Sequence, residues 1–99
     1  MRSGYEILWT NHALSELSQA YEYLEEEFTT EELRKLSSEI EFVVDLISRN
    51  PFLFPLSEFK GIRRAVILKH NTLYYRLKNE RIEIVSFFNN RRNPENRKM

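Results

Sequence analysis

Apolar residues recur along this chain with two different periods, and each change of period marks an element. Tyr5, Ile7 and Trp9 alternate with Glu6, Leu8 and Thr10 in strand-preferring residue types, so Tyr5–Thr10 reads as a strand. Thr10 or Asn11 then offers a side-chain oxygen to cap a helix. From there Leu14, Leu17, Tyr21, Leu24 and Phe28 follow at spacings of 3, 4, 3 and 4, the stripe of an amphipathic helix of about four to five turns. The acidic run Glu25-Glu26-Glu27 near its end opposes the helix dipole, at little cost on a solvated face. Thr29 and Glu32 make a Thr-x-x-Glu capping box, and Leu33, Leu36, Ile40, Val43 and Ile47 repeat the same spacing. Asn50-Pro51 ends this second helix, because the residue before a proline is pushed out of the helical region. Two matching stripes with almost no linker predict an antiparallel helical hairpin, its Leu and Ile stripes forming core.

Pro51–Gly61 is a connection whose prolines prevent regular pairing. Its Phe52, Leu53, Phe54, Leu56 and Phe59 are too apolar to leave in water, so it should pack on the end of the hairpin or against a partner chain, the former being favoured. Period two then returns. Arg64–Lys69 reads as a strand, His70-Asn71 as a turn in which Asn tolerates positive φ, and Thr72–Leu77 as the next strand. In the latter Leu73, Tyr75 and Leu77 share one face, and Tyr74 and Arg76 the other. Asn79-Glu80 turns again into Arg81–Asn89, where Ile82, Ile84 and Phe88 lie opposite Glu83, Val85 and Phe87. Apolar residues on both faces make this last strand central. The simplest domain from these parts is α+β: an N-terminal strand and a helical hairpin packed on a small antiparallel sheet, in the order β-α-α-β-β-β. Residues 1–99 make one domain, with room for a single core.

Composition narrows the function classes. Apolar residues are 41% and charged residues 30%, ordinary for a soluble globular chain, and no apolar run is long enough to span a membrane. Without cysteine there is no disulfide framework, thiolate nucleophile or cysteine zinc site, which fits a cytoplasmic location. The net charge of +0 conceals a polar split. Residues 1–50 carry 4 basic and 11 acidic side chains, and residues 51–99 carry 11 basic and 4 acidic, so −7 stands against +7. A basic C-terminal half implies an anionic partner or an exposed solubilising face.

Candidate chemistry is correspondingly basic and aromatic. His12 falls at a helix start and His70 in a turn, so neither suggests a metal or catalytic site. Nucleotide-loop and nucleophile-elbow motifs are absent, and no carboxylate couple stands out, so no cofactor or metal is implied. Arg63, Arg64, Lys69, Arg76, Lys78, Arg81, Arg91 and Arg92 lie on or beside the sheet, interleaved with Tyr74, Tyr75, Phe87 and Phe88. Guanidinium groups grip phosphate or carboxylate, and aromatic rings stack on bases. Such a surface can bind a target, or in principle cleave RNA without metal by stabilising the charged transition state. Tyr75 and Phe88 read as core, Arg91 and Arg92 as functional.

Several pieces together resemble the RelE/ParE superfamily of toxins from type II toxin–antitoxin systems. They are Tyr5-Glu6-Ile7-Leu8-Trp9-Thr10 leading to Ala13, the helical hairpin, Asn50-Pro51, Gly61-Ile62-Arg63, Leu73-Tyr74-Tyr75-Arg76 and Arg91-Arg92-Asn93-Pro94. The resemblance covers nearly the whole chain and implies a toxin neutralised by a cognate antitoxin that wraps over helices and sheet. RelE-like members cut messenger RNA on the ribosome; ParE-like members inhibit DNA gyrase. Arg91 falls near one RelE-type arginine, whereas Leu73 stands roughly where another would be. The tail Asn96-Arg97-Lys98-Met99 supplies no tyrosine or histidine. The chain therefore looks closer to the ParE-like branch: a gyrase-binding toxin with target-binding Arg63, Arg64, Arg76, Arg91 and Arg92 and no catalytic residue. The alternatives are a ribosome-dependent endoribonuclease using Arg64, Arg76 and Arg91, and a non-toxic member that binds an antitoxin. A homodimer and a toxin–antitoxin hetero-oligomer both fit. An apolar surplus in Phe52, Phe54, Phe59, Val85 and Phe87 also favours a partner chain.

Overall fold

The computed structural model describes residues 4–27 and 29–89. Within them run β1 (Glu6–Trp9), α1 (Asn11–Glu27), α2 (Thr30–Arg49), β2 (Arg63–Ile67), β3 (Asn71–Lys78) and β4 (Arg81–Asn89), the α+β order that the hydrophobic periods predict. The strands form one sheet in the order β1-β4-β3-β2. β2, β3 and β4 are an antiparallel meander, and β1 joins β4 in parallel, with Ile7 opposite Ile82 and Trp9 opposite Ile84. β4 is therefore central, which accounts for apolar residues on both of its faces.

Each helix starts on a cap that the sequence offers. Thr10 Oγ1 accepts from the Ala13 N–H at 3.2 Å, and Thr29 Oγ1 accepts from the Glu32 N–H at 3.4 Å. The Thr10 hydroxyl also donates to the Ile84 carbonyl at 3.0 Å, so the same side chain ties α1 to β4. α2 buries Leu36, Ile40, Val43 and Ile47, as its spacing requires. α1 departs from its expected stripe. Ala13, Ala20 and Leu24 are its buried residues, whereas Leu14 is 47% exposed. Alanines at i and i+7 let the helix approach the sheet closely, which sets the contact line on their side and leaves Leu14 at the rim. Phe28, the last member of the expected stripe, lies outside the described residues.

The β3–β4 turn is the predicted one. Asn79 and Glu80 have φ of 52° and 61°, and Lys78 stands opposite Arg81, so two left-handed residues reverse the chain with the twist of the strands. The β2–β3 turn is not at His70-Asn71. Its left-handed residues are Leu68 (φ 52°) and Lys69 (φ 76°), and Ile67 stands opposite Asn71, so Leu68, Lys69 and His70 form the turn. Asn71 instead opens β3, buried, donating to the Ile67 carbonyl at 3.1 Å and accepting from the Asn89 amide at 3.0 Å. A side-chain amide satisfied on two sides inside the sheet outcompetes the local preference of Asn for a turn. β2 accordingly runs Arg63–Ile67 rather than Arg64–Lys69.

β4 does not keep strict alternation. Tyr75 stands opposite Ile84 and Tyr74 opposite Ser86, which leaves Val85 as an extra residue in a β-bulge. Ile82 and Ile84 face the helices before the bulge, and Phe87 does so after it. Phe88 pairs with Thr72 and, although buried, lies outside the core cluster. This corrects the grouping of Phe88 with Ile82 and Ile84 and of Phe87 with Glu83, because one inserted residue inverts every later side chain.

The apolar surplus shrinks for the same reason. Phe87 is buried, Phe54 packs against the core, Phe59 and Val85 are half-buried, and of the five only Phe52 is exposed. The connection packs on its own chain through Pro51, which is buried and whose carbonyl accepts from the Tyr75 hydroxyl at 2.8 Å. Leu53 and Leu56 remain exposed beside Phe52. Among the described residues no helix is long and apolar enough to cross a membrane.

Candidate functional site

Strand register sorts the candidate arginines onto different faces. Arg64 stands opposite Tyr74, on the sheet face turned away from the helices, and Arg76 follows Tyr74 by two residues on that same face. Arg63 stands opposite the core residue Tyr75 and so points the other way. There its Nη1 donates to the Phe54 carbonyl at 2.8 Å, and its guanidinium carbon lies 5.1 Å from the centroid of the Phe52 ring. A cation over an aromatic face is held by the ring quadrupole, so Arg63 fastens the connection to the sheet. The fold thus brings Arg64 and Arg76 together and separates Arg63 from them. Arg91 and Arg92 lie outside the described residues.

Arg76 is itself engaged. Its Nε donates to Glu83 Oε1 at 2.8 Å, between residues directly opposite each other on β3 and β4. Arg81 makes a looser pair with Glu6, at 3.6 Å, across the β1–β4 junction. Arg64 is exposed and in no ion pair among the described residues. The Arg76–Glu83 pair was readable in the sequence, since a two-residue turn at Asn79-Glu80 forces residue 76 opposite residue 83.

Aromatic side chains on this face are covered rather than displayed. Tyr74 and Phe88 are both buried, and Phe59 sets its ring edge-on to Tyr74, with centroids 5.5 Å apart at 80°. Neither ring offers an open face for stacking on a base. Tyr75 is fully buried on the helix side, and burial pushes its hydroxyl above the ordinary tyrosine range, against the opposing pull of the Phe54 backbone and the Arg63 charge. It is a core residue, as its position predicts.

One residue absent from the sequence-level candidates does join distant elements. Glu16, midway along α1, places Oε1 where it accepts from the Ser86 hydroxyl at 2.6 Å and from the Phe87 N–H at 2.9 Å. His12 Nε2 lies 3.3 Å from the same oxygen. β1 ends opposite Ile84, and this carboxylate serves the β4 edge just beyond that point. No local signal marks Glu16 among the other acids of α1, because its partner is 70 residues away. Among the described residues no group of three or more His, Asp or Glu side chains is placed to hold a metal ion.

Solved structures share the fold. The chromosomal ParDE toxin–antitoxin system of P. aeruginosa contains a chain with a TM-score of 0.74 and 20% identity, covering 86% of this chain and 95% of that one. A chain of the E. coli DinJ–YafQ complex matches with a TM-score of 0.60 and 13% identity over 91% and 97%. The YoeB dimer of Staphylococcus aureus matches with a TM-score of 0.58 and 20% identity over 85% and 94%. At these identities the likeness is one of fold. A search of curated protein sequences finds no match. The family is carried by the sequence itself: residues 7–94 match the ParE toxin of the type II toxin–antitoxin system, parDE, and the chain belongs to that family.

Proposed function

We infer that this toxin acts by binding a protein target, DNA gyrase, through the outer basic face of its sheet, and that it does not cut RNA. The observation that carries the reading is the Arg76–Glu83 pair at 2.8 Å. A phosphate-stabilising arginine presents its charge to the substrate, and the Nε of this one is held by a carboxylate on the neighbouring strand, which offsets that charge. The buried rings of Tyr74 and Phe88 point the same way, since ribonuclease action on a splayed RNA strand needs stacking surfaces. The exposed Arg64 on this face suits an acidic protein patch, and Arg91 and Arg92, which lie outside the described residues, are the further target-binding candidates. Arg63 supports that surface from the edge by holding the connection in place. The cognate antitoxin is the second partner, with the exposed Leu14, Phe42, Leu53 and Leu56 as apolar anchors for it.

Supercoiling by purified gyrase, with and without the chain, tests this reading. Inhibition that is lost in an Arg91→Ala/Arg92→Ala variant is expected. Primer extension on ribosome-bound message is expected to show no new ends. Message cleavage together with unaffected supercoiling would overturn the assignment in favour of the endoribonuclease. Silence in both assays, with normal growth on expression, would favour a non-toxic antitoxin-binding member.

A further inference from the structure

β1 stands at the end of the strand order, so one side of its backbone meets β4 and the other meets no strand. A groove of about 500 Å³ lies beside it, under the helical hairpin. Ile7 and Trp9 on β1, Leu14 and Leu17 on α1, and Ile40 and Val44 on α2 supply its apolar walls. Its rim carries two carboxylates, Glu41 and Asp45, and no lysine or arginine lines it among the described residues. Asp45 is paired with Arg49 at 3.1 Å, whereas Glu41 is in no ion pair among the described residues.

The backbone of β1 completes this surface. The Thr10 N–H donates to the Ile84 carbonyl at 3.0 Å, so alternation along the ladder turns Glu6 and Leu8 toward β4 and Ile7 and Trp9 outward. The Tyr5 N–H, on the outward side, donates to the Ser48 carbonyl at 2.8 Å, which covers the edge at that end. Among the described residues the outward N–H and C=O groups of Ile7 and Trp9 have no partner. The same two residues turn their side chains into the groove. An open strand edge and an apolar wall are therefore one continuous surface, and such an edge is a template for another strand.

We propose that this surface takes an extended, cationic segment of the cognate antitoxin, which adds to the free edge of β1 as a further strand. An amphipathic helix could fill the walls, but it would leave the Ile7 and Trp9 backbone unpaired. An extended segment pairs with that backbone and sends alternate side chains into the groove. Lysine or arginine on the segment meets Glu41, in the half of the chain that carries a balance of −7. Leu8, 41% exposed on the other face of β1, gives the outward side chains of the added strand an apolar neighbour. The inference rests on the reading of Leu14 as an antitoxin anchor and adds the conformation and charge of the segment that covers it. It is independent of the gyrase reading.

Trp9 is the single tryptophan of the chain and lines the groove, so its fluorescence reports occupation. Titration of the full chain with an end-capped peptide of alternating valine and lysine is expected to saturate. A valine–glutamate peptide, and a leucine–lysine peptide of helical spacing, should each bind at least about tenfold more weakly. Amide exchange at Ile7 and Trp9 should slow at least about tenfold, both with the valine–lysine peptide and in the complex with the cognate antitoxin. Glu41→Lys should weaken the valine–lysine peptide about tenfold while circular dichroism stays unchanged, the side chain being exposed. Arg64→Ala should change nothing. Strand addition is overturned by absence of saturable binding, by equal binding of the valine–glutamate peptide, by tighter binding of the helical peptide, or by unchanged exchange at Ile7 and Trp9. An antitoxin that binds wild type but not Leu14→Ser, with exchange at those two amides unchanged, overturns strand addition and leaves the antitoxin reading standing.

Discussion

Replacing Glu16 by alanine is the sharpest test of how this fold is held together. The carboxylate accepts from the Ser86 hydroxyl at 2.6 Å and the Phe87 N–H at 2.9 Å, and Ser86 is only 1% exposed. A hydrogen bond to a charged group contributes about 1.5–3 kcal/mol, and orphaning a buried donor costs about 1–3 kcal/mol. The Glu16 side chain retains some contact with water, and the Ser86 hydroxyl can rotate, so both bonds together fall toward the lower end. Glu16→Ala should therefore destabilise the domain by about 2–4 kcal/mol. For a domain of this size each kcal/mol lowers Tm by about 4–8 °C, so a fall of about 8–32 °C is expected in a thermal melt followed by circular dichroism. Glu16→Gln keeps an acceptor in place and loses only the charge, at a cost of about 1 kcal/mol. Adding Ser86→Ala to Glu16→Ala removes one orphaned donor, so the double variant should recover about 1 kcal/mol relative to the sum of the singles. A Glu16→Ala protein within about 0.5 kcal/mol of wild type in urea denaturation would refute the claim that this carboxylate clamps α1 to β4.

Other outcomes follow from named contacts. Tyr75 keeps its proton more tightly when folded than when unfolded, so stability should be full below the ordinary tyrosine pKa of about 10 and fall as pH rises beyond it. Denaturant titrations across that range should show the loss in wild type and a smaller one in Tyr75→Phe, whose lost bond to the Pro51 carbonyl costs about 1 kcal/mol at neutral pH. Glu80→Gly relieves a left-handed non-glycine residue in the β3–β4 turn and should stabilise by about 1 kcal/mol, read from the urea midpoint. Arg91→Ala/Arg92→Ala should abolish growth inhibition on expression while leaving Tm within a few degrees of wild type; full toxicity in that variant would remove both residues from the proposed target surface.

Much of this protein is determined by sequence alone, for reasons that are local. The 3-4 spacing of α2 is matched by its buried Leu36, Ile40, Val43 and Ile47, and Thr29 caps that helix with its own hydroxyl. Asn79-Glu80 reverses the chain within two residues, which sets the β3–β4 register and with it the Arg76–Glu83 pair. The parallel placement of β1 beside β4, by contrast, depends on contacts between opposite ends of the chain. The bulge at Val85 has no marker in a stretch where apolar residues occupy both alternating sets. It alone decides that Phe87 enters the core and Phe88 does not. Asn71 carries a turn-forming side chain, yet its buried bonds to Ile67 and Asn89 place it in a strand. Glu16 is one acid among many on a solvated helix until β4 arrives beside it. Spacing and propensity act over a few residues and can be read in order along the chain. Register inversions, buried amide pairs and clamps between residues 70 apart exist only once tertiary packing has brought their two halves together.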